Sequence, residues 1–428
     1  MKWPLLMLSL CTEAALASAQ SESGGLVEDS TLKLNFLNAY FHRDFKDKAP
    51  DQSRWGQAIN TTFESGFTQG AVGFGADFYT LNAFKLDTGK SRNDGDITFF
   101  PTNSRGRTED SISEAGAVLK ARFSDTVLKY GNQLPELPVL AYDDSRLLPQ
   151  TFTGMLLTSE EVEGLVVHAG RFTAQSDMQQ TGRDSAKLKS INLLGGTYRF
   201  NEELSTALYL SNIQDVANKY YAYLNYVLPL GGEPAAGEEA EESLTFDFHI
   251  YRTRYKKRYT ETGKKEDNTF WSLSVAYEVG AHTFTLAHQR SHGGFENLDE
   301  DGNLVAHGYD FDIGDGGNAN YSANSYYSDF NGKDERSWQL SYGLDFTSFG
   351  IPGLELTAAY VRGDNIDTGV KSNATERELY KQLQYTVQEG TAKDLSLSIS
   401  HSSYRASRRY GPGLEEVQVF IGYPLDVF

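Results

Sequence analysis

The chain has 428 residues, 39% of them hydrophobic and 13% aromatic, with 40 glycines, 11 prolines and one cysteine. Its 58 acidic against 39 basic residues give a formal net charge of −19, which excludes a nucleic-acid partner, since phosphates demand a basic footprint. Beyond the first twenty positions no apolar run approaches the roughly 18 residues that a membrane-crossing helix needs, so a helical membrane protein is excluded as well. The mean hydropathy of −0.47 would suit a soluble protein, but aromatics and glycines are abundant and aliphatics are not.

The N-terminal segment carries Lys2, an apolar stretch from Pro4 to Cys11, and Ala17-Ser18-Ala19. A basic start, a short apolar core and a small-residue exit have the form of a secretory signal peptide, so residues 1–19 are read as a leader and 20–428 as the mature chain. The alternative, a buried N-terminal helix, has no helical neighbour to pack on. Leu10 is bulkier than the small residue that normally precedes a lipidated cysteine, which argues against lipid attachment at Cys11. Removing the leader takes away one Lys, one Glu and the single cysteine, so the mature charge stays −19 and no disulfide can form.

After the leader the apolar residues alternate with period two. Val72, Phe74, Ala76 and Phe78 face one way, and Gly73, Gly75, Asp77 and Tyr79 the other. The same pattern recurs at Leu244–Ile250, Trp271–Tyr277, Trp338–Phe346 and Leu395–Ile399. Tight turns such as Thr68-Gln69-Gly70, Ser124-Asp125, Asn201-Glu202-Glu203, Gly280-Ala281 and Glu389–Lys393 alternate with long polar segments near 87–111, 131–162, 173–189, 253–267, 291–334 and 362–378. In an up-and-down meander that alternation puts short turns at one end and long loops at the other, with the acidic insertion 231–243 as an exception on the short-turn side. About 17 strand candidates of about 8 to 14 residues suit tilted spans of a hydrocarbon core. The predicted fold is all-β: a single transmembrane antiparallel barrel of sixteen or eighteen strands, its aromatics forming interfacial belts. The terminal Phe428 is similar to the assembly signal of Gram-negative outer-membrane proteins, although Pro424 and Asp426 share its parity and break the usual form.

Parity also selects the lumenal side chains. Leu119, Ala121 and Phe123 read as lipid-facing, so Lys120 and Arg122 point inward; a charge facing lipid at mid-depth would cost about 2–4 kcal/mol. Arg43 shares parity with Lys33 and Asn35 on the first strand. Arg405, Arg408 and Arg409 cluster near the other end, which barrel closure brings beside the first strand, although the parity of Arg405 follows the outward Leu395 and Ile399 unless a bulge intervenes. Such a cationic stripe would attract carboxylates and hand them along; the alternative is that these groups pair with lumenal acids and stiffen the wall. The segment 130–154 holds three prolines and an apolar stretch too short to span, which predicts a loop folded into the lumen, with Asp143, Asp144 and Arg146 forming a mixed-charge constriction.

Other chemistry is sparse. Asp310 to Gly316 resembles a calcium loop but lacks the third oxygen ligand and the bidentate Glu, so turn-forming Asp-Gly steps are the simpler reading, and no metal or cofactor is expected. His288 and His292 sit at a strand end and read as interface or loop histidines. There is no nucleophile elbow and no phosphate loop, so a barrel hydrolase using, for example, His401 has no signature behind it.

FESGFTQGAVGFGADFYTLNAFKLD (63–87), the 130–154 segment, NSYYSDFNGKDERSWQL (324–340) and GIPGLELTAAYV (350–361) closely resemble the OprD family of outer-membrane porins, also called outer-membrane carboxylate channels, and the resemblance runs over the whole mature chain. It implies an 18-stranded barrel in a Gram-negative outer membrane, an inward third loop forming an eyelet, and a basic ladder on one wall. It also implies selective uptake of small carboxylate-bearing solutes such as amino acids and aromatic or cyclic acids, with carbapenem uptake in some members. Lys120, Arg122 and Arg146 match ladder or eyelet positions, Arg43 a basic site in the first strand, and Tyr327 and Asp329 an acidic pocket opposite. Arg405, Arg408 and Arg409 match the late basic cluster loosely. Thr62 stands where a basic residue is expected before FESGF, which thins the ladder. The readings are therefore a selective carboxylate channel embedded in outer-membrane lipid, monomeric or loosely trimeric, against a structural or adhesive barrel, or a barrel hydrolase.

Overall fold

The structure, a computed structural model, describes residues 18–46, 49–87, 97–103, 107–230, 242–260, 263, 266–298, 304–310, 323–370 and 372–428. Most of the leader, most of the acidic 231–243 insertion and residues 311–316 of the calcium-like loop lie outside these.

Eighteen strands close into one antiparallel barrel. The first five are β1 (Thr31–Phe45), β2 (Gln52–Glu64), β3 (Gly73–Lys85), β4 (Ser111–Phe123) and β5 (Thr126–Gln133). They are followed by β6 (Thr151–Val162), β7 (Leu165–Ser176), β8 (Ile191–Arg199), β9 (Leu204–Ile213) and β10 (Ala217–Pro229). Next come β11 (Glu242–Tyr255), β12 (Asp267–Val279), β13 (His282–Leu298) and β14 (Arg336–Asp345). The last four are β15 (Leu354–Ile366), β16 (Ala374–Thr386), β17 (Ser396–Ala406) and β18 (Leu414–Asp426). Each pairs with its sequence neighbours, and β1 pairs with β18 from Lys33↔Asp426 to Phe45↔Leu414, so no edge is left open. The carbonyl of Phe428 accepts from the Leu32 amide at 3.0 Å, which ties the end of the chain to the closing strand.

Alternation decides what each face buries. On β4, Leu119 and Phe123 are 65% and 63% exposed, whereas Lys120 between them is 8% exposed. A water-soluble protein would bury the Leu and expose the Lys; the inversion is what a lipid-facing wall requires. The start of β1, the end of β18 and the turns Ser124-Asp125, Glu163-Gly164 and Gly280-Ala281 lie at one end, the periplasmic one, and the long loops at the other. The alternation of connection lengths is not strict, because 46–51, 214–216 and 407–413 are short links at the long-loop end.

The segment read as 130–154 is narrower in the structure. Strand pairing runs through Gln133 and resumes at Thr151, so residues 134–150 form the irregular part, and 151–162, taken with the long loop in the sequence, is a wall strand. Its Leu137, Val139 and Leu140 pack with Phe152 and Phe172. Further along, Leu147 and Leu148 join Phe41, Phe99 and Phe100. These partners include inward-facing wall residues, so the segment lies inside the barrel and bridges two apolar clusters. Gly56 on β2 makes room for it: a Cβ there would sit 2.4 Å from Leu147 Cδ1.

Candidate functional site: the lumenal wall and its infolded loops

Two infolded segments meet the inner face of β1 near the long-loop end. On that face Arg43 is buried, and its Nε donates to Glu416 Oε2, its register partner on β18. The Arg43 guanidinium lies 5.3 Å from the ring centre of Tyr327, and that of Arg146 lies 5.4 Å from the ring centre of Phe41. Tyr327 is held by β16, which β17 and β18 separate from β1. Its amide and that of Ser328 donate to the two carboxylate oxygens of Glu378 at 3.0 and 3.1 Å, and Ser328 Oγ donates to Glu376 at 2.6 Å. Asp329 accepts from Ser325 Oγ, and its carbonyl takes the Gln289 side-chain amide at 2.8 Å. Asp143 Oδ1 accepts from the Ser145 amide at 2.7 Å, closing the turn that presents Asp144 and Arg146. Burial, reinforced by the neighbouring Asp143 carboxylate, pushes Asp144 up to about 6. Arg43 and Tyr327 thus meet on the inner side of β1, and Arg146, from the turn that carries Asp143 and Asp144, reaches Phe41 on the same face two residues away.

A second cationic group lies near the periplasmic end. Lys120 Nζ is 2.5 Å from Asp77 Oδ1 and 4.9 Å from the ring centre of Phe67. Arg122 stacks at 4.2 Å on the same ring and donates from Nε to Gln20 Oε1 at 3.0 Å. Lys129 on β5 is the register partner of Lys120 and shares its inward face. Among the described residues no carboxylate pairs with Arg122 or Lys129, so both keep an uncompensated charge toward the lumen.

Sequence reasoning passed over Lys129 and Arg54. Arg54 is buried on the inner face of β2 and donates to Asp87 and Thr108, each at 3.1 Å. The signal was present in both cases, since Arg54 alternates with Trp55 ahead of Gly56 and Ala58, and Lys129 lies between the outward Leu128 and Tyr130.

The late basic cluster needs correction. Arg405 points outward: with no bulge on β17, it shares the face of Leu397 and Ile399 and pairs with Glu415, also outward. Arg408 and Arg409 are exposed in the 407–413 link. Arg409 borders, with Asp329 and Tyr410, a cavity of about 960 Å³ at the long-loop end. His401 is outward too, 3.1 Å from Glu415, which removes it from any lumenal chemistry. His288 and His292 occupy the outer face of β13, stacked on Trp338 at 4.2 Å and paired with Asp334 at 3.1 Å respectively. Asp310 of the calcium-like loop accepts from the Tyr259 hydroxyl at 2.6 Å.

A closed eighteen-strand wall with a loop packed into its lumen and cations on its inner face is the setting in which the relatives become informative. Residues 24–427 match the family described as outer membrane porin, OprD family. The chain belongs to the OprD family. It is 38% identical to Porin D of Pseudomonas aeruginosa, covering 100% of this chain and 99% of that protein. Among solved structures it superposes on Acinetobacter baumannii OccAB1 with a TM-score of 0.87 at 35% identity, over 96% of this chain and 100% of that one. It also superposes on Pseudomonas aeruginosa OpdK, solved with vanillate, with a TM-score of 0.80 at 30% identity, over 94% and 100%. OprD-family membership makes the protein a substrate-selective transport channel of the Gram-negative outer membrane and not an enzyme.

Proposed function

We propose that this OprD-family channel takes up small carboxylate-bearing solutes passively, with amino acids, aromatic or cyclic acids and carbapenems as the substrate class. The observation that supports this most is the uncompensated charge of Arg122 and Lys129 on the inner wall, below the level where Arg43 and Arg146 lie beside the infolded segments. A carboxylate entering the narrow section sheds water, and guanidinium and ammonium donors at the wall replace part of that hydration. Tyr327 and Asp329, on the infolded segment held by β13 and β16, would take a hydroxyl or ammonium group of the same solute. A planar aromatic acid such as the vanillate bound to OpdK fits between cationic and aromatic walls of this kind. Because Arg43 is matched by Glu416 and Lys120 by Asp77, these two serve more to set wall geometry than to supply net charge. The test is Arg122→Gln in planar bilayers. Block of ionic current by benzoate-type anions should weaken by about fivefold, the order of one solvent-screened charge, and unchanged block and uptake would remove the ladder from the mechanism.

A further inference from the structure

The outer face at the long-loop end carries a feature that solute transport does not use. Arg290, Arg336, Arg362, Arg377 and Arg405 point outward from five neighbouring strands, β13 to β17. Register places them side by side: Arg290↔Arg336, Arg362↔Arg377 and Arg377↔Arg405 are direct cross-strand partners. Arg362 is also opposite Trp338, one outward position from Arg336. The row spans four inter-strand steps, roughly 19 Å.

Like charges directly opposite each other on a sheet oppose folding, so the row calls for compensating anions. The protein supplies two: Asp364 pairs with Arg336 at 2.8 Å, and Glu415 pairs with Arg405. Among the described residues Arg290, Arg362 and Arg377 have no carboxylate partner, and the Nε of Arg290 is buried without any hydrogen-bond partner. Arg290 also lines a cavity of about 490 Å³ on this rim, with His292, Asp334, Asn365, Ser372 and Asp367, the last paired with Lys333 at 3.2 Å. The carboxylate of Asp334 is already engaged by His292 and by the Gly293 amide.

Toward the membrane the same outer faces carry exposed Leu286, Leu340, Tyr360, Leu379 and Ile399, with Lys381 beyond Leu379 on β16 and Ser403 and His401 between Arg405 and Ile399 on β17. Trp338 lies at the boundary, as interfacial aromatics do. The row therefore sits where hydrocarbon gives way to headgroups. Guanidinium groups bind phosphate bidentately. We propose that the arginine row is a docking site for the phosphate groups of an outer-leaflet glycolipid, which compensates the like-charge pairs and fixes this side of the barrel in the leaflet.

The test uses the full-length protein purified from outer membranes, stripped of lipid, and titrated with bis-phosphorylated lipid A in detergent. Binding should weaken roughly thirtyfold in the double variant Arg362→Gln, Arg377→Gln, from the contribution expected of two cations near an anionic surface, and should fall with rising salt. Wild-type protein should bind dephosphorylated lipid A far more weakly than the phosphorylated form. Equal affinity for the two lipids, a measurement that needs no variant, would overturn the proposal. So would unchanged lipid A binding in the double variant, or a variant that shifts only the sedimentation of the barrel, since the row would then be a subunit contact.

Discussion

Glu415 and Glu416 are consecutive, yet they act in opposite environments. Glu416 faces the lumen, where its side chain is 2% exposed and holds Arg43. Glu415 faces outward, where its side chain is 24% exposed and holds Arg405. Residue types and pairing are the same, and the pleat alone separates them. The comparison shows that a count of basic residues carries little meaning in a barrel until each is assigned a face. Inside, Arg43, Arg54 and Lys120 are buried and individually neutralised. Outside, three of the five aligned arginines have no acid of their own among the described residues.

The contrast can be tested by removing acids from each face. Glu416→Ala leaves the buried Arg43 guanidinium unpaired and should cost about 3–5 kcal/mol, measured by urea unfolding in lipid vesicles. A loss under about 1 kcal/mol would mean that water reaches Arg43. Next in size is Gly56→Leu, which has no room beside Leu147. Overpacking of this kind should cost about 1–3 kcal/mol and displace the 134–150 segment from the wall, so single-channel conductance should change as well. Glu415→Ala should have the smallest effect on stability, under about 1 kcal/mol, because its partner Arg405 is already part solvated and keeps the carbonyls of Tyr404 and Leu414.

Acid supplies a probe that reaches the lumen without mutation. Asp144 is raised to about 6 from the ordinary 3.8, so the folded state favours its neutral form. Stability of the infolded segment should rise as pH falls from about 6 toward 4, the sign opposite to that of a salt-bridged carboxylate. Over the same range the 134–150 segment loses a negative charge, and reversal potentials should shift toward anion selectivity. Asp144→Asn should reduce the shift between pH 7 and 5, and a shift of unchanged size would place the titrating group elsewhere.

Much of the fold was legible because period-two alternation is a local property. The outward Phe74 and Phe78 around the inward Asp77, and Leu119 and Phe123 around Lys120, could be assigned to faces from the chain alone. The segment 151–162 was missed because its neighbours made it look like loop: Pro149 and Gln150 precede it and the acidic Glu160 and Glu161 end it. Lumenal sites were legible where the strand was secure, as at Lys120 and Arg122. At Arg405 proximity in sequence to Arg408 and Arg409 suggested one cluster, whereas parity divides them.

Composition and alternation by themselves determined a closed, lipid-facing barrel, since a chain with no spanning helix and every second strand residue apolar has no other way to satisfy its backbone in a membrane. They also determined the face of most strand residues, because the pleat has period two regardless of context. Tertiary structure decided which lumenal cations keep their charge, because pairing such as Arg43 with Glu416 joins residues 373 positions apart. It alone placed the infolded segments against Gly56 and Glu378, and it alone aligned the outer arginines, since register between strands depends on pairing across the whole sheet.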